Sequence, residues 1–560
     1  MLLRAAPWLV LALLTVPVAM GVGLTVLPAF GYLPALGGNT FTLQHWQALF
    51  ASPGLGDSVL VSLQAGVLTP LLALCVVLMF LAGISGSGLE RWIRRLVAPL
   101  LAVPHAAAAF GLAFLIAPAG LLSRLLSPEL TGWTRPPDAL IVNDPWGLSL
   151  MLGLLIKEIP FLLLMALAAL PQCDPQRRVA MARSLGYGSA VGWLLTVLPA
   201  LYPLLRLPVY AVIAFASATV EVAMILGPTL PPTLSVAVLQ WFSDPDLDWR
   251  FQAAAGALLQ LGVTASAMLL WRALEGLATA LGRRWLASGQ RLRGESAVRR
   301  AGTLGVWLAA GLSLGGLLAL LMNSVAGFWR FPDNLPGAWT LQTWTRTLPE
   351  LSTPLGNTLW IAAASTVMAL VLAVAVLEGE QRGGRRVAPA LWLLYVPLVI
   401  PQIAFLFGLV VATEFLRWAP DWRLVLPAHL LFVLPYVFLA LSESYRRLDP
   451  RWTQLASTLG ASPWRCFWHI RLPLLLGPCL TAMAVGIAVS VGQYLATQLP
   501  GAGRVPTLTS EAVALASGGN RSIISVWALL QAVVPMLGFA LALYVPRFVW
   551  RNRNGMRDRQ

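Results

Sequence analysis

Twelve stretches of this sequence are apolar enough and long enough to cross the roughly 30 Å hydrocarbon core of a bilayer. They lie near residues 7–30, 58–83, 96–117, 147–170, 200–226 and 252–279, and again near 303–328, 356–377, 388–416, 423–441, 474–498 and 523–546. In lipid every backbone N–H and C=O must find a partner within the structure, so apolar segments of this length fold as helices. The expected fold is therefore all-α and polytopic, with about 12 transmembrane helices. Composition agrees. Of 560 residues, 58% are hydrophobic and 11% charged, whereas soluble domains carry about 25% charge. The 23 Trp and 20 Phe suit two long interfacial belts. The first run has Arg4 ahead of it, as a signal peptide does. It continues to about Phe30 and has a counterpart at 303–328, so it reads as a true span.

The net charge of +15 is almost all arginine, and Lys157 is the only lysine. A strongly basic chain can bind nucleic acid, but these arginines sit in short segments between apolar runs, where positive charge sets membrane orientation. Arg4, Arg91, Arg94, Arg95, Arg177, Arg178 and Arg183 fall on one side. So do Arg283, Arg284, Arg291, Arg293, Arg299 and Arg300 between the sixth and seventh runs, and Arg547, Arg551, Arg553, Arg557 and Arg559 in the tail. On the other side, the segment from Phe30 to Ser58 has no Lys or Arg, and 243–250 carries Asp244, Asp246 and Asp248. Both termini are expected in the cytoplasm of a multi-pass protein surrounded by bilayer, with no nucleic-acid partner. A P-loop needs Gly-Lys-Ser/Thr after a Gly-rich turn. Lys157 lies instead in Leu155-Ile156-Lys157-Glu158-Ile159, so this chain does not bind ATP in that way.

The chain also repeats itself. Leu43-Gln44-x-Trp46 matches Leu341-Gln342-x-Trp344, and Leu55-Gly56-Asp57-Ser58 matches Leu355-Gly356-Asn357-Thr358. Pro104 and Gly111 match Pro401 and Gly408; Pro160 and Asp174 match Pro435 and Asp449. The offset falls from 297 at Pro104/Pro401 to 275 at Pro160/Pro435, which places about 22 extra residues in the external loop around 118–145. Both repeats hold six spans and run the same way, the arrangement of parallel repeats about an axis along the membrane normal. The expected units are residues 1–281, an Arg-rich linker 282–302 beside anionic headgroups, residues 303–546, and a basic tail 547–560.

After the fourth span of each repeat comes a stretch too polar to span, at about 174–199 and 449–473. Ala182-Arg183-Ser184-Leu185-Gly186 aligns with Ala456-Ser457-Thr458-Leu459-Gly460. Trp193 and Phe467 follow the Gly by seven residues, and Pro199 and Pro473 by thirteen. This spells a short helix ended by a left-handed Gly, a turn, and a second short helix anchored by its aromatic residue. Proline then opens the next span, where its missing N–H costs little. Such a rigid knob suits the transmission of a partner's rigid-body motion.

The pattern resembles the Glu-Ala-Ala…Gly…Pro loop of binding-protein-dependent ABC permeases, and Val396-Pro397-Leu398-Val399-Ile400-Pro401 with Phe407-Gly408-Leu409 resembles that family's third span. Two copies in one chain are similar to the fused permeases of the ferric-iron and thiamine importers. The resemblance implies the type I permease fold and a coupling role for Ala182, Leu185, Gly186, Trp193, Pro199, Ala456, Leu459, Gly460, Phe467 and Pro473. It also implies two copies of a cytoplasmic ATPase subunit, which carry the ATP and Mg, and a periplasmic solute-binding protein. The permease itself holds no cofactor and is not an enzyme. The motif's Glu position is Ala180 in one repeat and Gln454 in the other, so docking by hydrophobic contact is expected in place of an ion pair.

Lys157 and Glu158, just ahead of Pro160, are intramembrane charges, and such charges are costly and often functional. They are candidates for the pathway, as are Glu221 and Gln493, which follow the loops in spans five and eleven and so line the pathway if the resemblance holds. The bland reading of Lys157 and Glu158 is partial neutralisation inside the bundle. His105, His429 and His469 lack carboxylate or Cys partners at ligand spacing, and Cys75, Cys173, Cys466 and Cys479 show no paired spacing, so neither a metal site nor a disulfide framework is expected. No Ser/His/Asp set or paired carboxylate suggests catalysis. An ion-gradient-driven secondary transporter also has parallel twelve-span halves, but it leaves the matched loops unexplained.

Overall fold

The computed structural model describes residues 2–84, 101–291, 295–383 and 388–551. The arginines expected at 91, 94, 95, 293, 553, 557 and 559 lie outside them. Among the described residues, ten helices are long and apolar enough to cross a membrane, and twelve if each of two bent pairs is one span. In the first repeat the spans are Leu2–Ala29, Leu55–Ile84, His105–Leu126 (the helices His105–Ile116 and Leu121–Leu126 together), Leu148–Ala169, Leu198–Ala218 and Trp249–Ala287. In the second they are Glu295–Val325, Gln342–Gly383, the bent pair Val396–Val399 and Gln402–Phe415, then Trp422–Arg446, Leu476–Gly492 and Arg521–Val549. The only sheet described is a two-residue hairpin, Tyr32–Leu33 against Gly38–Asn39. The sixth and seventh spans extend as helices into the Arg-rich linker, the sixth to Ala287 and the seventh from Glu295.

The two repeats interlock through their first spans. Span one packs against spans eight and nine of the other repeat, and span seven packs against spans two and three. Without a hydrophobic force between helices in lipid, close approach has to come from small residues. A Cβ on Gly408 would overlap the Gly21 carbonyl, and one on Gly111 would stand 2.9 Å from the Gly316 backbone. Thr25 of span one then donates from its hydroxyl to Ala404 O at 2.8 Å. One apolar core therefore runs through both repeats, from Val10 and Leu14 to Phe405 and Phe432.

The run 388–416, read from sequence as one span, bends by 86°. Pro401 is the cause. The residue before a proline is pushed out of the helical region, and Ile400 is extended at φ −85°, ψ 128°. Pro104 caps the matching helix of the first repeat at φ −62°, ψ 154°. The runs 200–226 and 474–498 are not continuous spans either. Each breaks, at Thr219 and at Gln493, before a short helix, Glu221–Leu226 or Leu495–Gly501.

The extra residues of the first repeat form a helix at Leu121–Leu126 and then loop back to span four. Asp144 fixes the re-entry by accepting from the backbone N of Leu148 and of Ser149, each at 2.8 Å.

Candidate functional site

The two polar stretches fold alike. Pro175–Ser184 and Arg451–Thr458 are short helices that start after Asp174 and Pro450. Each ends in the same hydrogen-bond pattern. Gly186 N–H donates to Arg183 O (2.9 Å) and Tyr187 N–H to Ala182 O (3.2 Å); Gly460 N–H donates to Ser457 O (3.0 Å) and Ala461 N–H to Ala456 O (3.0 Å). These are the paired bonds of a Schellman cap, which needs a left-handed residue after the helix. Gly186 and Gly460 supply it at φ +88° and +82°.

Next come the second short helices, Ser189–Thr196 and Pro463–Cys466, the latter running on as a π-turn over Phe467–Arg471. Ser462 caps the second of these by accepting from Arg465 N. Pro199 and Pro473 sit in the first turn of the helices that follow.

The cap sets what faces outward. Leu185 is 61% exposed and Leu459 81%, each at the tip of its turn, with Met181 and Leu455 beside them at 60% each. Ala182, Trp193 and Ala456 point the other way, into the protein, and Phe467 is half-buried. Among the ten loop residues picked from sequence, then, the two leucines present surface while the alanines, glycines and aromatics build the support. Gly192 lets the two short helices of the first loop touch, since a Cβ there would stand 2.8 Å from the Ala182 Cβ. The matching residue of the second loop, Cys466, carries a side chain, and its loop opens into the π-turn. Arg291, from the linker, lies over the first turn, with Nη1 3.1 Å from where a Gly186 Cβ would be.

The broken spans after the loops also match in backbone. Thr219 and Gln493 are extended (φ −64°, ψ 137° and φ −74°, ψ 117°), and Val220 and Tyr494 return to helical values. No proline or glycine adjoins the break at Thr219, whereas Gly492 directly precedes the one at Gln493. A break inside a bilayer frees carbonyls that need donors, and a glutamine of each last span serves one, directly in the first repeat and through Thr509 in the second. Gln260 Nε2 donates to Ser217 O at 3.0 Å. In the other repeat Gln531 Nε2 donates to Thr509 Oγ1 (2.7 Å), whose hydroxyl donates to Val491 O. Sequence reasoning missed these two glutamines, although a signal was present: Ala257-Leu258-Leu259-Gln260 repeats as Ala528-Leu529-Leu530-Gln531.

Glu221 opens its short helix and is buried, within electrostatic range of His105 and of Tyr494 from the other repeat. Gln493 lies at the matching break, 3.5 Å from Gln402 Nε2. Lys157 and Glu158 both face the start of span three. Lys157 Nζ donates to the carbonyls of Leu101 and Val103, the backbone just ahead of the Pro104 break. Glu158 lies 3.6 Å from His105 Nε2. His429 is bonded on both ring nitrogens, by Ser490 at 2.8 Å and Thr497 at 2.9 Å.

A family model described as "Binding-protein-dependent transport system inner membrane component" matches residues 365–549. The chain is 34% identical over 523 residues to the "Inner membrane ABC transporter permease protein YnjC" of Escherichia coli strain K12, covering 92% of this chain and 93% of that protein. It is 28% identical over 239 residues to the "Putative 2-aminoethylphosphonate transport system permease protein PhnV" of Salmonella typhimurium strain LT2, which covers 42% of this chain but 88% of that protein. It is 31% identical over 176 residues to the "Molybdenum transport system permease protein ModB" of Mycobacterium bovis, covering 29% of this chain and 65% of that protein. Nearly all of the second relative thus fits within less than half of this chain, as a duplication requires.

Proposed function

We propose, from the premise that this chain belongs to the inner-membrane permeases of binding-protein-dependent ABC importers, that it moves a small solute from a periplasmic binding protein into the cytoplasm by alternating access. The family places a multi-pass transport subunit in the inner membrane. Two copies of an ATPase subunit close on ATP beneath the loops at 174–199 and 449–473, and the two repeats rock between inward-open and outward-open states. The loop end of the bundle, with both termini, faces the cytoplasm. Units 1–281 and 303–546 are the two rocking halves, joined by the linker 282–302 and followed by the tail 547–560.

The observation that carries this reading is the pair of matched turns, Leu185-Gly186 and Leu459-Gly460, each presenting a leucine on a capped and therefore rigid helix end. Hydrophobic docking of these tips replaces the ion pair that Ala180 and Gln454 cannot make. Glu221 and Gln493 line the pathway at the two breaks. Glu158 borders it beside His105, and Lys157 holds the backbone just ahead of Pro104. Full burial of a leucine is worth about 1.5–3 kcal/mol. The double variant Leu185→Asp, Leu459→Asp should therefore weaken ATPase association by roughly a hundredfold or more. Co-purification from detergent-solubilised membranes measures this. Equal recovery of the ATPase subunit with the variant, or ATP-independent uptake by the intact chain, would sink the reading.

A further inference from the structure

The two loops are alike in shape but are seated on the bundle by different chemistry. In the first repeat the seat is apolar. Phe80 of span two, Leu170 after span four, and Val197 and Trp193 at the loop's exit are buried in one cluster, with Leu78 packed against it. The alignments that match Gly56 with Gly356, Asp174 with Asp449 and Gly186 with Gly460 carry these positions onto the second repeat. Leu78 becomes Glu378, Phe80 becomes Glu380, Leu170 becomes Tyr445 and Val197 becomes Arg471; Ala82 becomes Arg382. Burial supports this register, since Ser58, Ser62, Ala65 and Ala73 are buried, as are Thr358, Ala362, Ser365 and Ala373.

Those replacements meet at one carboxylate. Glu378, 3% exposed, takes Arg382 Nε on Oε1 at 2.6 Å. Its Oε2 takes Arg471 Nη1 and the Tyr445 hydroxyl, each at 2.6 Å. Around it, Gln381 Nε2 donates to Tyr445 O at 3.0 Å, and Arg446 pairs with Glu380 at 3.0 Å. Arg382 also reaches the loop itself, donating to Pro463 O at 3.4 Å. One buried side chain of span eight therefore holds the end of span ten, through Tyr445, and the exit of the loop, through Arg471.

We propose that Glu378 is the positioning residue of the second loop, a polar clamp that makes its seating depend on charge where the matching contacts of the first loop are apolar. The inference rests on the coupling role assigned above. Removing one partner of a buried ion pair is far more damaging than replacing the whole set with apolar residues. Glu378→Gln keeps the shape but leaves Arg471 and Arg382 without their shared counter-charge. The set Glu378→Leu, Arg382→Ala, Tyr445→Leu, Arg471→Val copies the first repeat at the four positions that meet at the carboxylate and leaves the Glu380–Arg446 pair in place.

The test uses the full chain assembled with its ATPase subunit in lipid nanodiscs, with a benzophenone side chain at Leu459 or, as internal control, at Leu185. Glu378→Gln should cut photo-crosslinking from position 459 to the ATPase by roughly tenfold while leaving position 185 unchanged. The fourfold variant should restore crosslinking at 459. Unchanged crosslinking at 459 in Glu378→Gln, or equal loss at both positions, would overturn the proposal. If Glu378→Gln does not accumulate, the fourfold variant decides alone, because failure to crosslink from 459 then refutes the seat exchange. Should the unaltered chain crosslink from neither position, the coupling role falls as well; a wild-type signal that Glu378→Gln leaves untouched removes only the clamp.

Discussion

The contact between spans one and nine offers a test of how the repeats hold each other. Gly408 lies against Gly21 so closely that a Cβ would overlap the Gly21 carbonyl oxygen and stand 2.7 Å from Thr25 Oγ1. A comfortable carbon–oxygen contact needs about 3.3 Å, so Gly408→Ala forces the two helices apart by about 1.5 Å. That separation strains the bond from Thr25 Oγ1 to Ala404 O at 2.8 Å, of a kind worth about 0.6 kcal/mol in membrane helices. Overpacking a tight interior costs about 1–3 kcal/mol. Together these give a loss of about 2–4 kcal/mol. Gly356→Ala is the control, since nothing lies within 4 Å of a Cβ there. Unfolding in mild micelles by titration with dodecyl sulfate measures both. If Gly408→Ala falls within about 0.5 kcal/mol of the control, the spans do not pack as described, and the interlocking of the repeats through their first helices is wrong.

Two further outcomes follow from local geometry. Gly460→Ala meets no neighbour within 4 Å, so only its left-handed backbone at φ +82° is penalised. The expected cost is about 1–2 kcal/mol, seen as faster proteolysis of the 449–473 segment with little change in global unfolding. Asp144→Ala strips the start of span four of an acceptor for two backbone N–H groups. About 1 kcal/mol of stability should go with it, measured in the same dodecyl sulfate titration; a change below about 0.3 kcal/mol would show that water satisfies these groups equally well.

Backbone chemistry written in single residues was legible before any coordinates. Gly186 and Gly460 take the left-handed conformation because a Schellman cap requires it, and Pro104 and Pro401 stand at matched points of the two repeats. That Pro401 bends span nine was not anticipated, because a run of apolar residues reads the same whether the helix is straight or broken. The breaks at Thr219 and Gln493 were out of reach for a stronger reason. The freed carbonyls are satisfied from other helices, Ser217 O by Gln260 and Val491 O by Thr509, which Gln531 holds in turn. Lys157 was visible as a costly buried charge, but only its position opposite Leu101 and Val103 gives that charge an occupation.

By itself the sequence determined that the chain is an all-α protein built of runs long and apolar enough to cross a bilayer, that it is duplicated, and that each repeat carries a knob of fixed design. Hydropathy, like residues at constant offsets and the glycine turns are local or periodic, and survive without coordinates. The tertiary structure decided which surface each knob presents and how it is held. The same backbone rests on Phe80, Leu170 and Val197 in one repeat and on Glu378, Tyr445 and Arg471 in the other. The physical reason is that a seat is made of side chains from three separate helices. Whether Glu378 is a liability in lipid or a clamp depends on donors 67 and 93 residues away.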